Sequence, residues 1–180
     1  MSGRVRDLDQ TAMSADQRRV HDEIAAGPRG AVPGPFRIWL HAPEVADHVQ
    51  KLGAHLRYRT RLPQRLKELA ILVTARHWRA EYEWAVHARE AARAGLPADV
   101  IDALAVGRQP PLTDPDERLV FDFATAYFAT RRVPRTLFEA AVDRFTYAGT
   151  VELAALLGYY SMVAATLNVF EYPAPPHNMR

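Results

Sequence analysis

The run RLKELAILVTARHWRAEYEWAVHAREAARAGLPADVIDAL, Arg65 to Leu104, decides how this chain folds. Leu66, Leu69, Ala70, Leu72 and Val73 recur at steps of three and four, the broad apolar face of a helix that begins after Pro63 and runs to about Trp78. A second helix, Glu81 to Ala94, stops at Gly95, a residue that ends helices in the left-handed conformation at no steric cost. A short third, Pro97 to Val106, stops in the same way at Gly107. The strand-type alternation of apolar and polar residues is sustained neither here nor elsewhere.

Working outward, Ser14 with Gln17 three residues on forms a capping box for a helix whose face is Val20, Ile24 and Ala25. The glycine- and proline-rich GPRGAVPGPF, Gly27 to Phe36, reads as a defined connector with little regular structure. Pro43 opens a helix to about residue 60 on Val45, Val49, Leu52 and Leu56. After the loop RQPPLTDPDE, Asp114 and Pro115 start a helix to about Thr130, and another runs from Pro134 to Tyr147. The last, about Val151 to Phe170, is apolar on nearly all sides, which suits a helix buried in the fold or in a subunit interface. The expected architecture is an all-α bundle of about eight helices: a flexible N-terminus over 1–13, one domain over 14–172 and a tail over 173–180.

Composition narrows the chemistry. The chain has 180 residues, 23 basic and 21 acidic, with a formal net charge of +2. No basic run interleaved with aromatics marks a nucleic-acid surface, and the charged start MSGRVRDLDQ does not read as a signal peptide. No membrane and no nucleic acid are expected as partners, and the cytoplasm is the expected location. Cysteine is absent, which removes disulfides, thiolate ligands and thiol nucleophiles together.

Within the deciding run, Ala80, Glu83, His87, Ala91 and Ala94 share one stripe, while Arg89, Glu90 and Arg93 point elsewhere. Alanines permit a close helix approach, so Glu83 and His87 are expected to face protein. On the preceding helix Glu68 lies in line with Ile71, Leu72 and Ala75. A carboxyl buried there costs several kcal/mol unless a partner compensates it, of order the desolvation of one ion. A short connection makes the two helices antiparallel neighbours and brings Glu68 to His87. Such a Glu/Glu/His cluster has coupled, shifted acidities suited to proton transfer. The bland readings are a solvated Glu83/His87 pair, a salt bridge from Glu68 to Arg65 or Arg76, and packing roles for Tyr159 and Tyr160. Asn168, on an otherwise apolar helix, is a buried hydrogen-bonding candidate.

The same run, with GTVELAALLGYYSMVAATLNVFEYP from Gly149 to Pro173, resembles the carboxymuconolactone decarboxylase family, which includes the alkylhydroperoxidase AhpD-like proteins. The resemblance implies an AhpD-like helical bundle in a symmetric homo-oligomer (dimer, trimer or hexamer) with sites near subunit boundaries. The peroxidase branch carries a Glu, two cysteines separated by two residues, and a His four after the second cysteine. Glu68 matches the acid and His87 the imidazole, but Ala80 and Glu83 stand where the cysteines would be. Thiol peroxidase chemistry is therefore excluded. The decarboxylase branch acts on a carboxylated unsaturated lactone without metal or organic cofactor.

The expectation is a cofactor-independent lyase, decarboxylase-like, or isomerase of a small carboxylated molecule. His87 moves the proton, Glu68 orients or charges it, Glu83 adds a second carboxyl, and Arg29, Arg76, Tyr82 and Asn168 are candidates for holding substrate. No metal and no cofactor are expected. Two alternatives stay open: metal-assisted hydrolysis or hydration with Glu68, Glu83 and His87 as ligands, and a non-catalytic oligomer that binds small molecules.

Overall fold

The computed structural model describes residues 4–175, and every helix or strand among them is helical. The order is α1 (Ala15–Ala26), α2 (Pro35–Trp39), α3 (Pro43–Tyr58), α4 (Gln64–Trp78), α5 (Glu81–Arg93), α6 (Ala98–Ala105), α7 (Pro115–Thr130) and α8 (Arg135–Val169). The all-α class and the count of eight stand, with two corrections to the boundaries. The connector after Gly27 holds the short helix α2, begun by Pro35 after Gly34 at positive φ. The helices expected over 134–147 and 151–170 run together as α8, across a kink at Thr146 (φ 67°, ψ 167°).

α4 is the axis of the molecule. All ten residues from Leu66 to Ala75 are buried, and α5, α7 and α8 pack around the helix with α6 also in contact. Its leucines join an apolar cluster that runs from Val20 in α1 to Leu167 in α8, each buried Leu or Ile contributing about 1.5–3 kcal/mol. Two of the ten are charged types. Lys67 donates from Nζ to the Arg57 carbonyl at 2.7 Å, filling an orphan acceptor at the C-terminal end of α3. Glu68 points to α5. α4 ends at Arg79 in the left-handed conformation (φ 51°, ψ 41°), and the Ala80 N–H returns to the Ala75 carbonyl at 2.9 Å. With only Arg79 and Ala80 between them, α4 and α5 have to lie side by side.

α8 is long and apolar enough to cross a membrane by length and composition, but half of that stretch is buried in this fold, against α4 and α7 above all. Of the N-terminus expected to be flexible over 1–13, residues 1–3 lie outside the described residues, and contacts from Arg4, Arg6 and Asp7 reach the rest of the chain. Arg4 N–H donates to the Phe170 carbonyl at 2.9 Å, Arg4 pairs with Glu171 at 2.7 Å, Asp7 pairs with Arg37, and His41 Nε2 meets the Arg6 carbonyl at 2.7 Å.

Asp114 does two jobs at the start of α7. Its Oδ1 accepts from the Asp116 and Glu117 N–H groups at 2.8 and 3.3 Å, and its Oδ2 holds Arg65 of α4 at 2.6 Å, while Arg65 Nε reaches Glu117 at 2.9 Å. Asp114→Ala should lower stability by about 1–2 kcal/mol, the usual worth of an N-cap, and Asp114→Asn by clearly less because the cap survives. Denaturant midpoints of the two variants check this; equal losses would mean that the ion pair, not the cap, holds α7.

Candidate active site

Three ionisable side chains from α4 and α5 meet in the interior. Glu68 is 0% exposed, Glu83 3% and His87 4%. His87 Nδ1 lies 2.6 Å from Glu68 Oε2, and Gln64 Nε2 donates to Glu68 Oε1, also at 2.6 Å. With Glu68 accepting at both oxygens, the ring proton of neutral His87 sits on Nδ1, and Nε2 presents its lone pair on the far side. That nitrogen is 4.0 Å from Glu83 Oε1. The gap is too long for a hydrogen bond, but one atom placed between the two groups lies within about 3 Å of both, the reach proton transfer requires. The ring of Tyr160 stands edge-on to the imidazole, centroids 5.0 Å apart, and fixes its plane.

The acidity of Glu83 follows from competing terms. Burial raises its pKa well above the usual 4.5, Arg57 pulls it down, and Glu68 pushes it up again. Its place in the first turn of α5 favours the carboxylate through the helix dipole by at most about 1 kcal/mol, less than desolvation costs. Glu83 Oε2 is buried with no hydrogen-bond partner. Together these favour the neutral carboxylic acid form of Glu83, a donor, over the carboxylate.

His87 and Glu83 line a pocket of about 100 Å³, whose other walls include Arg29, Phe36, Arg57, Tyr82, Tyr159 and Tyr160. The connector supplies a wall because two glycines let it come close. A Cβ on Gly34 would fall 2.5 Å from the Tyr82 ring, and one on Gly53 of α3 would fall 2.0 Å from the Tyr159 hydroxyl and 2.9 Å from Arg29. Arg29 lies over the Phe36 ring at 4.5 Å and close to the Tyr159 hydroxyl. Burial raises Tyr159 to about 12, against the pull of Arg29, so this hydroxyl keeps its proton. Burial likewise raises Tyr160 well above its usual value.

Of the residues singled out from sequence, Glu68, Glu83, His87, Arg29 and Tyr82 converge here, and two do not. Arg76 lies against Gly107 and lines a separate groove of about 640 Å³ with Arg79 and Trp84, because its position on α4 is past the turn that carries Glu68. Asn168 is exposed, not buried; its Nδ2 donates to the Trp78 carbonyl at 2.8 Å and ties α8 to the end of α4. Nor does Glu68 pair with an arginine, since Arg65 is taken by Asp114 and Glu117. Arg57 was missed. It continues the buried face of α3 formed by Gln50 and Gly53, a signal masked by the arginines at 59 and 61. Tyr159 and Tyr160, read as packing, are pocket walls as well. Among the described residues no three His, Asp or Glu side chains are grouped to hold a metal ion, and Glu68 of this trio is engaged by His87 Nδ1 and Gln64.

This arrangement sits on an AhpD-like all-α fold. The crystal structure of an alkylhydroperoxidase AhpD core, an uncharacterized peroxidase-related protein from Ralstonia eutropha JMP134, has a TM-score of 0.79 at 20% identity over 97% of this chain and 93% of that one. The debrominase Bmp8, as a cysteine-to-alanine variant in complex with 2,3,4-tribromopyrrole, has a TM-score of 0.74 at 14% identity over 95% and 91% of the two chains. Its apo form has a TM-score of 0.71 at 13% identity over 94% and 90%. At such identities the likeness is one of fold. No curated protein matches the sequence. Residues 43–126, from α3 into α7, match the carboxymuconolactone decarboxylase family model, in a chain without any cysteine.

An acid whose pKa is higher folded than unfolded costs stability as pH rises past the unfolded value, and the cost grows until the folded value is passed. Glu83→Gln cannot ionise. The stability difference between this variant and the parent should be smallest below pH 4.5 and move in favour of the variant as pH rises toward neutral. Denaturation at a series of pH values reads it; a difference independent of pH would show Glu83 ionised without penalty.

Proposed function

We propose that the chain is an acid–base enzyme without a cofactor, a decarboxylase-like carbon–carbon lyase or an isomerase acting on a small carboxylated molecule. We place it in the cytoplasm as a homo-oligomer, with the exposed apolar Tyr147, Val151 and Val169 of α8 available to the contact. The observation that carries the reading is the pairing of His87 with Glu68 through Nδ1, which leaves Nε2 beside the orphaned acid Glu83 at the wall of one pocket. A fully paired network with no cavity beside it would have favoured a non-catalytic role; here one acid oxygen has no partner and a pocket adjoins it.

In this reading His87 carries the proton, and Glu68 holds the ring in place and stabilises the imidazolium. Glu83 supplies the second proton. For decarboxylation, Glu83 first passes its proton to Nε2, making the imidazolium that Glu68 stabilises. The bond from carbon to carboxylate then breaks, carbon dioxide leaves, the electron pair left on carbon takes the Nε2 proton, and Glu83 is reprotonated from water. For isomerisation, Nε2 removes a proton from carbon and returns it, or the Glu83 proton, at another position. Arg29 and Tyr82 line the same pocket and orient the substrate. The missing thiols rule out a peroxidase cycle through cysteine.

The test is a panel of small unsaturated carboxylic and lactone acids incubated in D2O, with deuterium entry and carbon dioxide release followed by NMR. His87→Ala should lower turnover by about 10²- to 10⁴-fold, the usual contribution of a positioned acid or base. Glu68→Gln should lower it less and shift the pH profile. Full turnover by folded His87→Ala overturns the assignment.

A further inference from the structure

We propose that Arg57 and Arg29 together form a carboxylate clamp in this pocket, and that the carboxylate they hold is one the reaction keeps. This deepens the acid–base reading and rests on it for its catalytic meaning, but the clamp itself is an independent claim.

Arg57 comes from the last turn of α3 and Arg29 from the connector, so two elements aim guanidinium groups at one small space. Neither forms an ion pair with a carboxylate among the described residues. Arg57 Nε is buried with no hydrogen-bond partner, and Arg29 makes one long contact, 3.5 Å to the Gln50 carbonyl, besides lying near the Tyr159 hydroxyl. Two unpaired cations beside a pocket of about 100 Å³ are costly unless something anionic enters. The groups facing Arg57 are Glu68, committed to His87 and Gln64, Glu83, whose carboxylate form burial disfavours, Glu90, paired with Arg93 at 2.7 Å, and the hydroxyls of Tyr58 and Tyr160. None of these is available as a close counter-ion. The position of Arg57 is built: Lys67 fixes its carbonyl from α4, so the guanidinium is carried on a held turn. The neutral hydroxyl of Tyr159 adds a donor. A carboxylate accepts such donors through both oxygens, in the planar geometry that favours arginine over lysine.

The clamp also constrains the chemistry. Losing carbon dioxide turns a charged group into a neutral one, and guanidinium groups stabilise the charged form, so a carboxylate held by both would resist departure. The clamped group is therefore a handle. A ligand with a single carboxylate would undergo proton transfer at carbon, and decarboxylation in this pocket needs a second acid group lying outside the clamp.

Crotonate, a six-heavy-atom unsaturated carboxylate, and crotonamide, its uncharged analogue, are suitable probes, with binding measured by NMR titration. The parent protein should bind crotonate at least about tenfold more tightly than crotonamide, a contrast that needs no variant. Arg57→Gln should weaken crotonate by about ten- to a hundredfold, the worth of one charge-assisted pair, and leave crotonamide unchanged. Arg57→Lys should recover part of the loss. His87→Gln should keep crotonate binding while turnover is lost, which separates clamp from catalysis. If the clamp holds and no acid of the panel is turned over by the parent, the catalytic reading fails and the clamp stands. Equal binding of the two probes by the parent, no binding of either, or undiminished crotonate binding by Arg57→Gln overturns the clamp.

Discussion

The structure depends on one carboxyl group enclosed on every side. Glu68 sits in the middle of a helix that has no solvent face along ten residues, so water cannot satisfy it and its partners must come from protein. Gln64, one turn earlier on the same helix, takes one oxygen, and His87 takes the other from the neighbouring helix. Removing either partner leaves an unsatisfied group at the centre of the fold. The closeness of α4 and α5, permitted by Ala80 and Ala91, is the distance this contact requires. Chemistry and packing are thus set by the same bond: the group that holds the helices together also fixes the tautomer of the histidine.

That bond separates the roles of two carboxyls of one type. Glu68 lies behind the imidazole with both oxygens engaged. Glu83, on the pocket side, has an oxygen with nothing to accept from, and burial favours its acid form. Identical side chains become an orienting acceptor and a proton donor because one is saturated with donors and the other is not. Where the peroxidase branch of the family this chain resembles is expected to carry cysteines, Ala80 and Glu83 stand as a small packing residue and an acid.

Much of the centre was legible beforehand, and for physical reasons. A carboxyl in line with Ile71, Leu72 and Ala75 and an imidazole on an alanine stripe break helical patterning, and such breaks survive only with partners. The periphery was harder. Arg57 sits in a run of arginines that looks solvated, and only its register with Gly53 gave it away. The short α2 hides in a stretch dense with helix breakers, where Pro35 starts a helix that Gly34 makes reachable. Arg76 is a candidate for its guanidinium and Asn168 as a polar residue on an apolar helix. Periodicity fixes the face of such a residue but not its height along the axis, and both lie near the far end of α4. The break at Thr146 has no glycine or proline to announce it.

The adjacency of Lys67 and Glu68 has a mechanical consequence. Successive residues on α4 reach in different directions, the ammonium to the end of α3 and the carboxyl to α5. Sliding either neighbour along the axis would strand a polar group in an apolar interior. The segments before and after α4 are therefore locked in register against shear by a single peptide unit.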